Sequence, residues 1–189
     1  MKNTGLVYVF TGEGKGKTSA ALGVATRSLL IDKKVVWVAF YKQESWGLAE
    51  AKLKSKFENL EMYFSGKGFK IGKKTAPVGN MGHVVVDTAS EDEHVQAARH
   101  GLELARQKLE TKPFLLVMDE VLNAVSEGLL EEKDVSDALE KRGETHVILT
   151  GRSGEATRRL LKGADLVTEC NKIKHPYDLG KLAVQGLDF

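Results

Sequence analysis

The sequence has very little cysteine, no long apolar run and almost no net charge. Its single cysteine, Cys170, excludes an internal disulfide framework and a zinc site built from several cysteines, and we expect a buried or sheet-edge thiol. The longest strongly apolar run, 35–41, is far shorter than the about 20 residues of a membrane-spanning helix. The 28 basic and 26 acidic residues leave a formal net charge of +2, so overall charge gives no case for nucleic-acid or membrane binding.

Targeting signals and the motifs of several hydrolase classes are also missing. The N-terminus leads directly into a strand-like segment, so we expect no signal peptide and a cytoplasmic protein. The histidines show no metal-ligand spacing on a helix face, and we expect His94 and His100 on the solvated side of a helix. The segment 151–155, Gly-Arg-Ser-Gly-Glu, lacks the final glycine of a nucleophile elbow. Acyl transfer and zinc-dependent hydrolysis are therefore not indicated.

What the sequence does contain is the patterning of one α/β domain, 1–189. Hydrophobic residues make up 42% and charged residues 29% of the 189 residues, which is typical of a folded globular protein. Short apolar runs that alternate with amphipathic segments predict a mostly parallel sheet flanked by helices. The predicted strands are 6–10, 35–40, 60–64, 114–118 and 147–149. The predicted helices are 17–30, a helix opened by the Ser90/Glu93 capping-box spacing, and 131–141.

A glycine-rich turn, residues 11–16, joins the first predicted strand to the first predicted helix. In a phosphate loop, glycines allow successive backbone N–H groups to turn towards one anion at a helix N-terminus. We expect Lys17 to reach phosphate oxygens and the Thr18 hydroxyl to ligate Mg²⁺. The alternative is a glycine-rich turn with incidental lysines. The predicted nucleotide-binding residues here are Gly12, Glu13, Gly14, Lys15, Gly16, Lys17, Thr18 and Ser19.

The spacing of this turn departs from the usual phosphate loop. The usual pattern would place a glycine at position 11, where this chain has Thr11 and has its glycine at Gly12. The loop is therefore one residue shorter between its glycines, and it carries an additional cation, Lys15. We expect it to hold phosphates differently from the loop of an ordinary ATPase or kinase.

Two acidic residues, Asp119 and Glu120, follow the strand predicted at 114–118. An acidic residue at the carboxyl end of a strand beside a phosphate loop can bind Mg²⁺ directly or through water, so both are candidate metal ligands. Either could instead cap the following helix. In an ordinary ATPase Glu120 could polarise a water molecule, which leaves a hydrolase as an alternative.

Residues 65–83 form a long stretch without a clear element. The stretch contains five glycines and four lysines and no acidic residue. A loop of this kind inside a compact domain is usually either functional or disordered. Its composition fits a substrate-binding loop and a surface loop equally well.

The order of these motifs resembles the ATP:corrinoid (cob(I)alamin) adenosyltransferases, the type with a RecA-like P-loop fold. The resemblance covers nearly the whole chain and begins with the short phosphate loop and its Lys15. The later matching positions are Ala20, Ala21, Gly23, Arg27, Phe40, Lys42, Gly68-Phe69, Asp119-Glu120, Thr150-Gly-Arg152, Ala164-Asp165, Glu169, Lys174-His-Pro176, Gly180 and Gln185-Gly-Leu-Asp-Phe189.

This resemblance implies a reaction that needs no catalytic base. The family transfers the 5′-deoxyadenosyl group of ATP to the cobalt of a reduced corrinoid and releases triphosphate. Because cob(I)alamin is itself a strong nucleophile, the protein must position the substrates and stabilise the leaving group. The resemblance further implies Mg²⁺, a nucleotide bound in the reverse sense to other P-loop enzymes, an electron donor that reduces Co(II), and a homodimer.

The resemblance also implies site residues outside the phosphate loop. Phe69 matches the first of two aromatic residues that help to exclude the lower axial ligand of cobalt, which makes it a catalytic candidate beside Lys17 and Thr18. The second aromatic position holds Ile71. Arg27 and Lys42 match substrate-binding positions, although Arg27 also fits an exposed helix residue.

Three functions follow from these observations. The leading hypothesis is a cytoplasmic corrinoid adenosyltransferase. The second is a P-loop ATPase or kinase that forms ADP. The third is a non-catalytic nucleotide- or corrinoid-binding paralogue, suggested by Ile71, by Ala39 at a position where the family usually has glutamine, and by the lack of an N-terminal extension over the corrin.

Overall fold

The central feature of the fold is a six-stranded sheet in which every pair of neighbours is parallel. The computed structural model describes residues 4–68, 76–77, 84–85, 89–181, 183–184 and 186–187. The sheet strands are β1 (Val7–Thr11), β2 (Val35–Ala39), β3 (Leu60–Phe64), β6 (Leu115–Asp119), β7 (His146–Thr150) and β8 (Leu166–Glu169). Their order is β3-β2-β6-β7-β1-β8. A separate antiparallel pair consists of β4 (Ala76–Pro77) and β5 (Val84–Val85).

Five helices connect and cover these strands in the described part of the chain. They are α1 (Lys17–Leu29), α2 (Glu91–Glu110), α3 (Val121–Ser126), α4 (Glu132–Glu140) and α5 (Arg158–Gly163). Short 3₁₀ turns occupy Glu44–Trp46, Ala49–Ser55, Glu155–Thr157 and Pro176–Leu179. Helix α1 covers one face of the sheet, and the other four helices cover the opposite face. The predicted α/β architecture is therefore confirmed.

The central strands are apolar along their whole length because helices cover both faces of the sheet. Every residue of β2 and of β6 is buried. Alternate residues of a strand point to opposite faces, so Trp37 and Val117 pack under α1 while Val38 and Leu116 pack under α2. Continuous apolar runs are typical of parallel strands that are buried on both faces. This double burial is what made the central strands recognisable in the sequence.

Helix α2 begins as its sequence predicts but places one histidine differently. The Glu93 backbone N–H donates to Ser90 Oγ (3.3 Å), and the Ser90 N–H donates to Glu93 Oε2 (2.7 Å), which completes the capping box. His100 is exposed as expected. The expectation for His94 is wrong: only 4% of it is exposed. It lies four residues before Ala98, so the helical repeat brings it onto the buried stripe.

Within the described ranges, no helix has the length and apolar character needed to cross a membrane.

Candidate functional site

The glycine-rich turn lies between β1 and α1, at the carboxyl edge of the sheet, where a phosphate loop is expected. Gly12 and Gly16 have φ values of 105° and 120°, a region that residues with a side chain rarely adopt. A Cβ atom at Gly12 would also lie 2.5 Å from the carbonyl oxygen of Cys170. The glycine at Gly12 is therefore required both by backbone conformation and by the approach of a second chain segment.

That second segment, residues 170–171, forms a wall behind the phosphate loop. Strand β8 pairs with β1 up to Thr11, and the chain then continues along the loop. The Cys170 N–H donates to the Thr11 carbonyl (2.7 Å), and the Gly14 N–H donates to the Cys170 carbonyl (2.6 Å). A Cβ atom at Gly14 would lie 2.6 Å from the carbonyl carbon of Asn171. Cys170 is half-buried just beyond the edge strand, in line with the expected sheet-edge thiol.

The Lys17 side chain turns back over the loop that precedes it. Its Nζ donates to the carbonyl oxygens of Gly12 (2.7 Å) and Gly14 (2.8 Å). These contacts hold the ammonium group within the concave side of the loop, beside the N-terminus of α1. A positive charge at this point and the N-terminal dipole of the helix act together on an anion.

Asp119 joins the phosphate loop to the neighbouring strands. This carboxylate is fully buried, with 0% of the residue exposed. Its Oδ1 accepts hydrogen bonds from the Thr18 hydroxyl (3.1 Å) and the Thr150 hydroxyl (2.7 Å). Its Oδ2 lies 2.9 Å from Lys42 Nζ. Thr18 and Asp119, two of the three predicted metal ligands, are thus in direct contact.

Glu120 turns away from the strand direction at the first residue after β6. Its φ of 66° lies in the left-handed region, and it occupies the N-cap position of α3. The Asn123 amide donates to Glu120 Oε2 (2.6 Å), and the Glu120 N–H donates to Thr150 Oγ1 (2.8 Å). Burial and the adjacent Asp119 raise the pKa of Glu120 to about 7, against the opposing effect of nearby cations. Glu120 is therefore the N-cap residue of α3, as the helix-cap alternative predicts. Its carboxylate, however, forms no hydrogen bond to the backbone N–H groups of the helix.

Lys42 forms a nearly buried ion pair with two carboxylates. Its side chain is 12% exposed, and Nζ lies 2.9 Å from Asp119 Oδ2 and 3.0 Å from Glu50 Oε1. Burial lowers its pKa, but the two carboxylates outweigh burial and raise the pKa above its ordinary value. Lys42 therefore contacts the candidate metal ligand Asp119. Its contact with substrate stays a prediction.

The remaining predicted site residues lie at the margin of this cluster or outside it. In the phosphate loop, Glu13, Lys15 and Ser19 are exposed, whereas Thr18 is half-buried. Arg27 is exposed in the last turn of α1, about 15 Å along the helix from Lys17 at 1.5 Å per residue. The structure does not bring it to the phosphate loop, and its role stays a prediction.

Phe69 and Ile71 lie outside the described residues. The chain immediately before them is tied to the segment that carries Lys42. The Gly66 N–H donates to the Lys42 carbonyl (3.1 Å), and the Gly68 N–H donates to the Tyr41 carbonyl (3.0 Å). Gly66 and Gly68, which precede Phe69 in the chain, therefore lie beside the backbone of Tyr41 and Lys42.

Three residues after or near strand ends belong to the site but were not predicted. Thr150 bonds to Asp119, Asn123 bonds to Glu120, and the Arg152 Nε lies 3.0 Å from Glu13 Oε2 of the phosphate loop. Thr150 is the last residue of β7, and Arg152 follows two residues later. Strand β7 lies between β1 and β6 in the sheet. The family resemblance at Thr150-Gly-Arg152 marked this segment in the sequence. Its contacts could not be predicted without the order of the strands.

The residues present fit a magnesium ion held with a nucleotide. Thr18 Oγ1 and Asp119 Oδ1 are hard oxygen donors 3.1 Å apart. Among the described residues, no group of three or more His, Cys, Asp or Glu side chains could hold a metal ion alone. This donor set suits Mg²⁺, which keeps waters and shares substrate phosphate oxygens with one or two protein ligands.

Strand order, phosphate loop and Asp119 together define a P-loop α/β nucleotide-binding protein. The fold is shared with the flagellar accessory protein FlaH from Methanocaldococcus jannaschii, whose crystal structure matches 89% of this chain and 72% of FlaH with a TM-score of 0.56. At 11% identity that likeness concerns the fold alone.

The chain belongs to the family described as ATP:corrinoid adenosyltransferase BtuR/CobO/CobP, whose model matches residues 3–189. Curated relatives named corrinoid adenosyltransferase are 32% identical in Escherichia coli K12 and 28% identical in Pseudomonas aeruginosa. Each alignment covers 98% of this chain, and 86% and 84% of the relative, respectively. A Salmonella typhimurium relative with the same activity name is 32% identical over 98% of this chain and 86% of its own length. The family expected from the sequence is therefore confirmed.

Proposed function

We propose that this protein transfers the 5′-deoxyadenosyl group of ATP to the cobalt of a reduced corrinoid. The cobalt(I) electron pair forms the Co–C bond at C5′, while the C5′–O bond breaks and its electron pair leaves with triphosphate. The observation that carries the assignment to this site is the contact between the phosphate loop and Asp119 through Thr18 (3.1 Å). Triphosphate is a polyanion, and Lys17 and the N-terminus of α1 supply the positive charge that stabilises it.

Substrate placement is the main task of the protein in this reaction. Lys17 lies over the concave side of the loop, where its ammonium can exchange the carbonyls of Gly12 and Gly14 for phosphate oxygens. Asp119 is held by Thr150 and Lys42, so its orientation is set before substrate arrives. A leaving group bound in a preorganised site needs no reorganisation when its charge develops.

In this proposal Thr18 and Asp119 would hold a magnesium ion together with phosphate oxygens of the substrate. The ion supplies charge neutralisation for the leaving triphosphate. Lys42 lies 2.9 Å from Oδ2 of the buried Asp119, whereas Oδ1 accepts from the Thr18 hydroxyl, so Oδ1 is the carboxylate oxygen in contact with Thr18.

The remaining parts of the proposal concern the corrinoid. In the proposal Phe69 helps to exclude the lower axial ligand of cobalt, an external electron donor reduces Co(II) to Co(I), and the protein acts as a homodimer. A reaction that consumes ATP and a strongly reduced cobalt fits the reducing, ATP-containing cytoplasm. These statements rest on membership of the family and on the position of the chain at Gly68, next to the segment of Lys42.

An anaerobic assay with Mg-ATP and chemically reduced cob(I)alamin tests the proposal. The corrinoid spectrum and the phosphate product are followed in the wild-type protein, in Lys17→Ala and in Lys162→Ala, an exposed lysine at the end of α5. We expect adenosylcobalamin and triphosphate from the wild type and from Lys162→Ala. Lys17→Ala should lose at least about 100-fold in rate, since a charge-assisted phosphate contact is removed from the transition state.

Two other outcomes would contradict the proposal. ADP with an unchanged corrinoid would indicate an ATPase or kinase. Tight corrinoid binding without turnover would indicate a non-catalytic paralogue. Near-normal turnover in Lys17→Ala would remove the phosphate-loop assignment while leaving the reaction in place.

A further inference from the structure

Arg152 has a backbone held by hydrogen bonds and an exposed, charged side chain. Its N–H donates to Asn123 Oδ1, and its carbonyl accepts from the Ser126 hydroxyl (3.2 Å). The preceding Gly151 has a φ of 133°, and a Cβ there would lie 2.8 Å from the backbone nitrogen of Asn123. The turn after β7 is thus set by α3. The Arg152 side chain, by contrast, is 62% exposed.

That side chain reaches over the phosphate loop. Its Nε lies 3.0 Å from Oε2 of Glu13, the residue between Gly12 and Gly14 in the loop. The Glu13 side chain is 71% exposed. An ion pair with this exposure contributes little to stability because water screens both charges. The guanidinium can therefore exchange this carboxylate for another anion at little cost in folding free energy.

Strand order also places Arg152 beside the phosphate site. Strand β7, which ends at Thr150, pairs with β1, which leads into the phosphate loop, and with β6, which ends at Asp119. Arg152 therefore follows the strand that lies between the phosphate loop and the end of β6. Its planar fork of five donors matches phosphate oxygens in a bidentate geometry, which the ammonium of Lys17 does not offer.

We infer that Arg152 binds the triphosphate chain of the substrate, and that Glu13 is an internal competitor that occupies the guanidinium until a phosphate displaces it. The inference rests on the proposed function for the identity of the substrate. Loss of the Arg152 side chain should therefore weaken triphosphate binding, whereas loss of the Glu13 charge should strengthen it. A structural ion pair would give both residues the same small effect.

Calorimetric binding of inorganic triphosphate and of Mg-ATP separates these cases. The variants are Arg152→Ala, Arg152→Lys, Glu13→Gln and the double variant Glu13→Gln/Arg152→Ala. Arg158→Ala is the control, because Arg158 is exposed and forms a comparable surface pair with Glu155 (3.3 Å). Thermal unfolding of each variant verifies that it is folded.

We expect Arg152→Ala to weaken triphosphate binding about 10- to 100-fold, the usual loss for a charged hydrogen-bonding partner. Arg152→Lys should lose less affinity than Arg152→Ala, because lysine keeps the positive charge but lacks the bidentate donors of the guanidinium. Glu13→Gln should strengthen triphosphate binding about two- to fivefold, because the exposed ion pair with Arg152 no longer has to be broken before phosphate binds. The double variant should bind like Arg152→Ala, since the competitor acts only through the guanidinium.

Three results would overturn the inference. One is binding by Arg152→Ala within twofold of the Arg158→Ala control. Another is weaker binding by Glu13→Gln. The third is a wild-type protein that binds neither triphosphate nor ATP. If Arg152→Ala does not fold, Arg152→Lys and Glu13→Gln still decide the question through the opposite signs of their effects.

This series is independent of corrinoid chemistry. If the binding series behaves as expected and no adenosylcorrinoid forms, the proposed function fails and the phosphate role of Arg152 stands. If adenosylcorrinoid forms and binding is insensitive to Arg152, the inference fails and the proposed function stands.

Discussion

Asp119 carries a charge in a position with no exposed surface, so its contacts decide whether the fold tolerates it. A buried carboxylate costs several kcal/mol unless it is paired and hydrogen-bonded. Here two hydroxyls satisfy Oδ1, and Lys42 lies against Oδ2. The same contacts hold the carboxylate next to the phosphate loop. Stability and site geometry therefore depend on the same residue.

We predict that Lys42→Met destabilises the protein by about 3–5 kcal/mol, because it leaves Asp119 and Glu50 without their counter-charge. Urea unfolding monitored by circular dichroism measures the loss. Lys54→Met, an exposed position in the neighbouring 3₁₀ segment, is the control and should change stability by less than about 0.5 kcal/mol. A loss below about 1 kcal/mol for Lys42→Met would show that water reaches Asp119.

Local motifs were enough to select Lys17, Thr18 and Asp119 as candidates, and the structure places Thr18 in contact with Asp119, while the roles of all three stay predictions. Thr150 and Arg152 were not predictable in the same way. Their contacts depend on β7 lying between β1 and β6, an order that no local pattern records. The error at His94 has another cause: polarity suggested solvent, whereas its spacing from Ala98 placed it inside.

At the scale of elements, Glu61 of β3 connects the edge of the sheet to two other parts of the chain. Its carboxylate lies 2.8 Å from Lys34 Nζ, before β2, and 2.6 Å from Lys108 Nζ on α2. Tyr63 on the same strand donates a further hydrogen bond (2.7 Å). Hydrogen bonds from Lys108, Lys34 and Tyr63 lower the pKa of Glu61 to about 2.

The pKa of Glu61 predicts how this connection depends on pH. Because the folded-state pKa lies below the unfolded value of about 4.3, the stabilisation is present above that pH and is lost as pH falls towards 2. Glu61→Gln should therefore cost no more than about 1 kcal/mol at pH 7, since water screens a group this exposed. The difference from wild type should shrink below pH 4.

Unfolding free energies of wild type and Glu61→Gln between pH 2 and pH 7 provide the measurement. Glu58→Gln, an exposed carboxylate just before β3, is the control and should show no such trend. A difference that stays constant across the range would mean that Glu61 acts by packing and not by charge.

Strands buried on both faces were predictable from sequence, and so was the partly buried β3, whereas β8 and the short pair β4 and β5 were not. Strands β2 and β6 read as apolar runs because every residue is inside. Strand β8 is half-exposed to exposed along its length, so its apolar pattern is interrupted and it escaped notice. The pair β4 and β5 has two residues in each strand, too few for a periodicity to be recognised.

For the whole molecule, ligand binding and folding are linked, because the phosphate loop exists only where β1, α1 and the 170–171 segment come together. A ligand that binds only the folded state stabilises it by about 2.7 kcal/mol at 100 times its Kd. For a chain of this size we predict that Mg-ATP at that concentration raises Tm by about 5–10 °C. Lys162→Ala should respond in the same way.

Thermal unfolding with and without Mg-ATP measures this shift. Lys17→Ala at the same nucleotide concentration should gain less than about 2 °C, because its affinity is reduced. An equal gain in Lys17→Ala and wild type would place nucleotide binding elsewhere on the molecule.

The wall formed by Cys170 and Asn171 has a consequence for the order of events during synthesis. The ribosome makes the glycine turn, between β1 and α1, before the other five strands of the sheet, and makes the supporting wall only after β8. Until Cys170 has emerged and β8 has paired with β1, Gly14 has no carbonyl to donate to. A nascent chain therefore holds an unsupported phosphate loop until β8 has been made, and nucleotide capture would mark a chain whose six-stranded sheet is complete.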